Sequence, residues 1–306
     1  MGSAATLACV TADHARVRSA VLDWYAETHR DFPWRGTTDP YAVLVSEVML
    51  QQTQAARVAE RFPRFMRRFP TLRALADATS ADVLAEWSGL GYNRRALALQ
   101  AATRQIVRDG WPDGVAGFEA LPGVGPYTAR ALASLAFGIP VGVVDTNVRR
   151  WLLRRFDVSD DRRRLQELAD RLAATDRAAD VAPWTHASME LGAAICRARA
   201  PRCDACPVAN GCPSRHAPAV IKVPRQAALR GSDRAYRGAL LRRLSRAPGH
   251  RLAEPIARAA LAEGADGIGP ALDDDGWERI IAALERDGLA HRGEGDLRLG
   301  TTTIGP

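Results

Sequence analysis

The chain has 306 residues, 47% of them hydrophobic and 25% charged, the balance of a soluble globular protein of two or three modules. No run is long and apolar enough to span a bilayer, since the longest, ALASLAFGIPVGVV, is broken by Gly138 and Pro140. The basic excess of +7, with a pI near 9.6, sits almost wholly on arginine, Lys222 being the sole lysine, and is compatible with a nucleic acid partner, although an arginine-rich composition alone does not require one.

The amino terminus, MGSAATLACVTADHAR, lacks a basic stretch ahead of an apolar one, so no signal peptide is read and a cytoplasmic location is expected. From there to about residue 215 the pattern is helical. Apolar residues recur at three- and four-residue steps in VRSAVLDWYAETH, AARVAERFPRFMRRF, ALALQAATRQIV, YTARALASLAF, NVRRWLLRRF and RLQELADRLAA, and almost nothing alternates as a strand would.

Within that body, residues 43–54 read VLVSEVMLQQTQ. A helix this apolar is buried nearly all round, and burial of Glu47 raises the pKa of its carboxyl, so that it can hold a proton near neutral pH. Next comes LPGVGPYTA, residues 121–129, between two helical segments. Gly123 and Gly125 allow a sharp turn that leaves amide N–H groups at a helix amino terminus, where a phosphate oxygen is well received. This is a helix-hairpin-helix pattern, and it points to the DNA backbone.

In VVDTNVRRWLLRRF, Asp145 precedes a helix and is expected to cap it. Accepted hydrogen bonds and the positive helix end are expected to lower its pKa. A raised and a lowered carboxyl together are the division of labour needed to cleave a glycosidic bond. The separation of Glu47 and Asp145 along the chain does not fix whether they meet.

The segment CRARAPRCDACPVANGC holds Cys196, Cys203, Cys206 and Cys212 in the spacing C-x6-C-x2-C-x5-C, while Cys9 stands apart. Four thiolates in one loop can enclose zinc or an iron–sulfur cluster, and a single close pair rather than two favours the cluster. A zinc deaminase is rejected because its H-x-E half is absent upstream. Residues 216–232 read as a linker. Beyond it, three helical segments and LAHRGEGDLRLG, a hairpin around Gly-Glu-Gly, suggest a winged-helix-like α+β module.

Residues 20–215 resemble the adenine DNA glycosylase (MutY) family of the endonuclease III superfamily, through DFPWR, DPYAVLVSEVMLQQTQ, GLGY, LPGVGPYTA, VVDTNVRR, MELGAAIC and the four-cysteine loop. The resemblance implies a mostly α fold. It divides the chain ahead of the linker 216–232 and the winged-helix-like module 233–306 into an N-terminal helix over 1–34 packing with the cluster domain, a six-helix barrel with its helix-hairpin-helix over 35–144 and a cluster domain over 145–215. It implies a [4Fe-4S] cluster on Cys196, Cys203, Cys206 and Cys212. The expected partner is double-stranded DNA carrying a mismatched adenine, bound by a monomer associated with the bacterial nucleoid.

By the same resemblance, Glu47 protonates the flipped-out adenine and Asp145 supports the oxocarbenium-like sugar. Trp34, Arg35, Leu50 and Glu190 wall the base pocket, Gln51 and Gln52 reach into the duplex, and Tyr92 and Asn147 join Gly123 and Gly125 among the DNA contacts. Tyr127 stands where bifunctional relatives place a Schiff-base lysine, which implies a monofunctional glycosylase. Two departures bear on the base opposite adenine. Asn93 replaces a second tyrosine, and the last 75 residues do not resemble the nudix-like domain of many members. A thymine or uracil mismatch glycosylase is a second reading, disfavoured by Glu47. A non-catalytic iron–sulfur regulator is a third, disfavoured by the retention of both carboxyls.

Overall fold

The structure, a computed structural model, describes residues 4–215, 229–261 and 268–301, without the side chains of residues 4–12. Lys222, most of the expected linker and the Cys9 side chain lie outside the described residues. The described part is mostly helical, as expected, and no helix in it is long and apolar enough to cross a membrane. The chain forms two compact units, one of residues 1–47, 113–120 and 124–223, the other of residues 48–112, 121–123 and 224–306.

In chain order the helices are α1 (Ala4–Thr28), α2 (Pro40–Leu50), α3 (Ala55–Arg68), α4 (Leu72–Ala76), α5 (Ser80–Trp87), α6 (Arg94–Asp109), α7 (Gly114–Glu119), α8 (Pro126–Phe137), α9 (Thr146–Phe156), α10 (Arg162–Ala173) and α11 (Val181–Glu190). Side-chain caps start several of them: Thr71 accepts from the Ala74 N–H, Thr79 from Asp82 and Asp161 from Arg164, each satisfying an amide that the first turn leaves unpaired. α8 begins with Pro126 and stops at Gly138, whose φ of 64° is a left-handed C-terminal cap.

The first unit is organised on the apolar faces of α1, α9, α10 and α11. Val17, Val21, Trp151, Leu152, Leu165, Leu172, Trp184 and Ala187 are buried in one cluster, and Trp151 meets Trp184 edge to face with ring centroids 6.4 Å apart. Emptying such a site, as in Trp151→Ala, costs on the order of 3–5 kcal/mol. After α11 the chain loosens into a π-helical turn, Leu191–Ile195, which ends at Cys196 and offsets the cysteine from the straight path of α11.

The second unit packs α4 and α5 against α6. Phe65 of α3 contacts both Phe69 and Trp87. Its C-terminal part comprises α12 (Asp233–Arg246), β1 (Arg251–Ala253), α13 (Glu254–Ala259), α14 (Asp274–Arg286), β2 (Ala290–Arg292) and β3 (Asp296–Leu299). The three helices and the hairpin are those expected. The strand β1 is not: it pairs antiparallel with β3 on the side opposite β2, giving the order β1-β3-β2. At three residues it is too short to show alternation in the sequence, and it displaces the start of α13 to Glu254.

Candidate active site

Glu47 sits on α2 among Val43, Leu44, Val45, Val48 and Met49 and is 3% exposed. Its carboxyl accepts a hydrogen bond from the Tyr127 hydroxyl, while Oε2 has no donor. Burial pushes its pKa up to about 7; the Tyr127 bond opposes the rise and the neighbouring Asp145 charge adds to it. Tyr127 lies in the first turn of α8, and its oxygen is also 3.8 Å from Met189 Sδ on α11. Burial and the two carboxylates raise the phenol well above its ordinary value, so it stays a donor.

Asp145 caps α9. One carboxylate oxygen accepts from the backbone amides of Asn147 and Val148 at 2.8 and 2.6 Å, and the other from Asn147 Nδ2 at 2.7 Å. The cap is as expected, but its expected effect on acidity is not found. Burial outweighs the accepted hydrogen bonds and the Arg150 charge, and the carboxyl is held above the usual aspartate value, not below it. What separates the two acids is donors: Asp145 faces three, whereas Oε2 of Glu47 faces none.

Asn147 continues a chain of contacts. Its Oδ1 accepts from Arg150 at 2.9 Å, and the same guanidinium donates to the carbonyls of Gly192 and Cys196, each at 2.6 Å. A Cβ on Gly192 would come within 2.5 Å of the Asn147 carbonyl oxygen, so only glycine permits this approach. Arg150 was not foreseen. Its signal was the spacing of four from Arg154, which puts both arginines on one face of α9, and both are buried.

A second cluster gathers around Glu190, at the end of α11 and 1% exposed. Arg30 holds both carboxylate oxygens, at 2.5 and 3.0 Å, and Arg35 holds Oε2 at 2.6 Å. Burial pushes this carboxyl up, but the two guanidinium groups more than offset it and leave it lowered. The Arg35 guanidinium lies 4.9 Å from the centre of the Phe32 ring, and Trp34 stacks against Phe32 with centroids 4.8 Å apart. Trp34, Arg35 and Glu190 are therefore brought together, with Trp34 itself buried. His186, four residues before Glu190 on α11, is pushed down to about 4 by burial and by Arg35. That spacing could have revealed His186; nothing in the sequence pairs Arg30 with Glu190.

Leu50 closes α2, three residues beyond Glu47. Gln51 and Gln52 follow the helix instead of lying on it, and Gln52 is exposed with a left-handed φ of 53°. Gln51 donates weakly to the Gly123 carbonyl at 3.4 Å. Tyr92 is likewise left-handed, with φ 47°, and is 38% exposed. Arg95 ties the two turns together: Nη1 donates to the carbonyls of Val48, Met49 and Gln51 at 2.7, 3.0 and 2.6 Å, and Nη2 to Gly91 at 3.0 Å. Burial lowers its pKa to about 10. Sequence reasoning passed over Arg95, whose only signal is its place next to GLGY.

The two glycines of LPGVGPYTA are not equivalent. Gly123 has φ 74°, and a Cβ there would lie 2.7 Å from the Ala98 Cβ. Gly125 caps α8 with an ordinary φ of −92°, and a Cβ there meets nothing within 4 Å.

Cys196, Cys203, Cys206 and Cys212 are free thiols that line one pocket with Arg154 and Arg215. Arg154 Nη1 is 3.6 Å from Cys196 Sγ, and Cys212 Sγ is 3.5 Å from the Arg154 carbonyl. Among the described residues, no three metal-binding side chains draw together closely enough to hold a single ion. Four thiols around a pocket with guanidinium groups beside them fit a polynuclear anionic cluster with a ligand at each corner better than a mononuclear site.

Residues 45–174 match the HhH-GPD superfamily of base excision DNA repair proteins. The chain is similar to the adenine DNA glycosylase of Mycobacterium tuberculosis, at 45% identity over 231 residues, which is 72% of this chain and 76% of that one. To the human adenine DNA glycosylase it is 41% identical over 216 residues, covering 65% of this chain and 39% of the human protein. Among solved structures, a thermostable thymine-DNA glycosylase matches with a TM-score of 0.61 and 28% identity, over 66% of this chain and 96% of that one. An endonuclease III–DNA complex shares the fold, with a TM-score of 0.55 and 22% identity over the same shares of the two chains.

Proposed function

The chain belongs to the adenine DNA glycosylase family of the HhH-GPD superfamily, and on that footing we propose that it excises adenine mispaired with 8-oxoguanine or guanine by monofunctional hydrolysis of the N-glycosidic bond. The observation that carries this reading is Glu47, a buried carboxyl with a pKa near 7 and an undonated oxygen. A purine anion is a poor leaving group until it is protonated, and a neutral carboxyl is the group that can deliver the proton. Asp145 accepts from three donors while Glu47 Oε2 accepts from none, so the carboxyl that holds a proton near neutrality is that of Glu47.

Asp145 then supplies the fixed anion beside the positive charge left on the sugar. Its cap and its Asn147 bond hold it there without reorganisation. Tyr127 orients the Glu47 carboxyl and, as a phenol, has no amine to form a Schiff base. Water completes the hydrolysis and an abasic site remains. Arg35 and Glu190, locked to each other, present a polar wall to the extruded base, with Trp34 as its apolar part. Tyr92, Gln51 and Gln52 enter the duplex, and Asn147 and the amides at Gly123 and Gly125 take the backbone.

The four cysteines would hold a [4Fe-4S] cluster, which when bound clasps residues 196–212 through iron–thiolate bonds. The test of the whole reading is incubation with duplexes bearing A:8-oxoG, A:G, T:G and U:G, with and without alkali. Adenine release, with strand breaks only after alkali, is expected. Activity confined to T:G and U:G would instead favour the thymine-type reading suggested by the structural likeness.

A further inference from the structure

The segment between α8 and α9, residues 138–145, runs outside helix and strand, yet it ends on Asp145. A buried stretch of this kind needs partners for its own backbone groups. At Gly142, which is buried, side chains supply them. The Gly142 N–H donates to Asp170 Oδ1 of α10 at 2.8 Å, and the Gly142 carbonyl accepts from Gln166 Nε2 at 2.9 Å and from Arg130 Nη1 at 3.1 Å. Space adds a second constraint. A Cβ on Gly142 would fall 2.4 Å from the Ala169 carbonyl carbon, so the segment lies directly on α10 and only glycine permits it.

Asp170 is itself held. Its two carboxylate oxygens accept from the two terminal nitrogens of Arg130, at 2.7 and 3.4 Å, and Oδ1 also accepts from Gln166 at 3.3 Å. Arg130 and Tyr127 stand three residues apart on α8, neighbours on one face of the helix, and Tyr127 holds the Glu47 carboxyl. The helix that orients the acid is thus tied, through Arg130 and Asp170, to the segment that carries the anion. On the other side of Asp145 the Asn147 carbonyl is pressed against Gly192. Asp145 therefore sits between two close backbone contacts, and the three residues from Gly142 to Asp145 span at most about 10 Å.

We propose that Asp170 is a positioning residue for Asp145: by fixing Gly142 on α10 it sets where the Asp145 carboxylate stands relative to the sugar. This rests on the reading that Asp145 faces the sugar cation. Arg130 and Asp170 are both partly exposed, and an ion pair with that access to water contributes little to folding. Its geometric effect reaches the reacting centre, where a displacement of about 1 Å costs on the order of 100-fold in rate.

The test compares two duplexes with 8-oxoguanine opposite an altered sugar, one carrying a pyrrolidine ring, cationic at neutral pH, and one carrying tetrahydrofuran, its neutral counterpart. The unmutated protein should bind the cationic ring more tightly, because Asp145 is in place to meet it. Asp170→Ala should lose most of that preference and release adenine about 10- to 100-fold more slowly in single turnovers at saturating protein, with its affinity for the tetrahydrofuran duplex unchanged. Asp170→Asn, which keeps an oxygen for the Gly142 N–H, should recover most of both. Leu172→Val, which trims the core from the same helix, should lower the Tm but leave preference and rate unchanged per molecule competent to bind tetrahydrofuran. Full preference and rate in Asp170→Ala, equal loss of affinity toward both duplexes, no recovery in Asp170→Asn, or the same loss in Leu172→Val would overturn the proposal. An unmutated protein that neither releases adenine nor prefers the cationic ring would overturn the functional reading itself, and the positioning role with it.

Discussion

The Tyr127 hydroxyl donates to the Glu47 carboxyl from the first turn of α8, and that bond works against the burial that raises the acid. Its removal in Tyr127→Phe should therefore move the Glu47 pKa further up. Single-turnover rates measured across pH should show the alkaline limb displaced upward, whereas an unmoved limb would mean that the bond does not tune the acid.

The same burial makes Glu47 a liability for stability. A carboxyl at 4.5 when unfolded and about 7 when folded leaves stability intact below pH 4.5 and erodes it as pH rises through 7, by on the order of 3 kcal/mol in full. Glu47→Gln should therefore melt no lower than the parent at pH 5 and clearly higher at pH 8. Calorimetry at the two pH values checks the sign.

Asp145 has a structural and a chemical role that separate by substitution. Asparagine also caps helices well, so Asp145→Asn should lose roughly 1 kcal/mol or less of stability yet lower adenine release by about 100-fold or more. Parallel melting and single-turnover assays distinguish the two effects. A fall in activity no larger than the loss of folded protein would remove the chemical role.

Gly123 and Gly125 make opposite predictions. Alanine at Gly123 meets both a left-handed backbone and the Ala98 methyl, and should cost about 1–3 kcal/mol. Alanine at Gly125 meets neither, so Gly125→Ala should melt with the parent while binding duplex DNA more weakly, because its methyl stands at the amides that would take the phosphate. Weakened folding in Gly125→Ala, or undiminished binding, would contradict this division.

Arg150 joins the Asn147 side chain to the Cys196 carbonyl. Arg150→Gln keeps a donor but shortens the reach, and should lower both adenine release and the iron retained on purification. Iron content near four per chain in the unmutated protein, lost in Cys203→Ser, would identify the cluster.

The sequence made the helical body legible because its apolar residues recur at helical steps, as Val17 and Val21 do on α1 and Leu165, Leu168 and Leu172 on α10. Glu47 stood out because nothing near it on α2 is charged. The motif residues that the structure draws together, Glu47 with Tyr127 and Arg35 with Glu190, were named from patterns, but Arg30, which holds Glu190, Arg95, which holds the Gln51 carbonyl, and Arg150, which holds Asn147, were not. Those arginines act through long side chains on distant carbonyls or carboxylates, and an arginine that will be committed to such a partner looks in sequence like one that will be solvated. The acidity of Asp145 was misjudged for a related reason: capping is local and readable, whereas desolvation depends on everything that packs around it.

On the proposed function, Glu47 delivers a proton to the departing adenine. The most direct measurement is single-turnover adenine release from an A:8-oxoG duplex by Glu47→Gln beside the unmutated enzyme, at pH 6 and pH 8. A loss of about 100- to 10,000-fold at pH 6, with the unmutated rate itself falling toward pH 8, is the predicted result. Release by Glu47→Gln at the unmutated rate would contradict it.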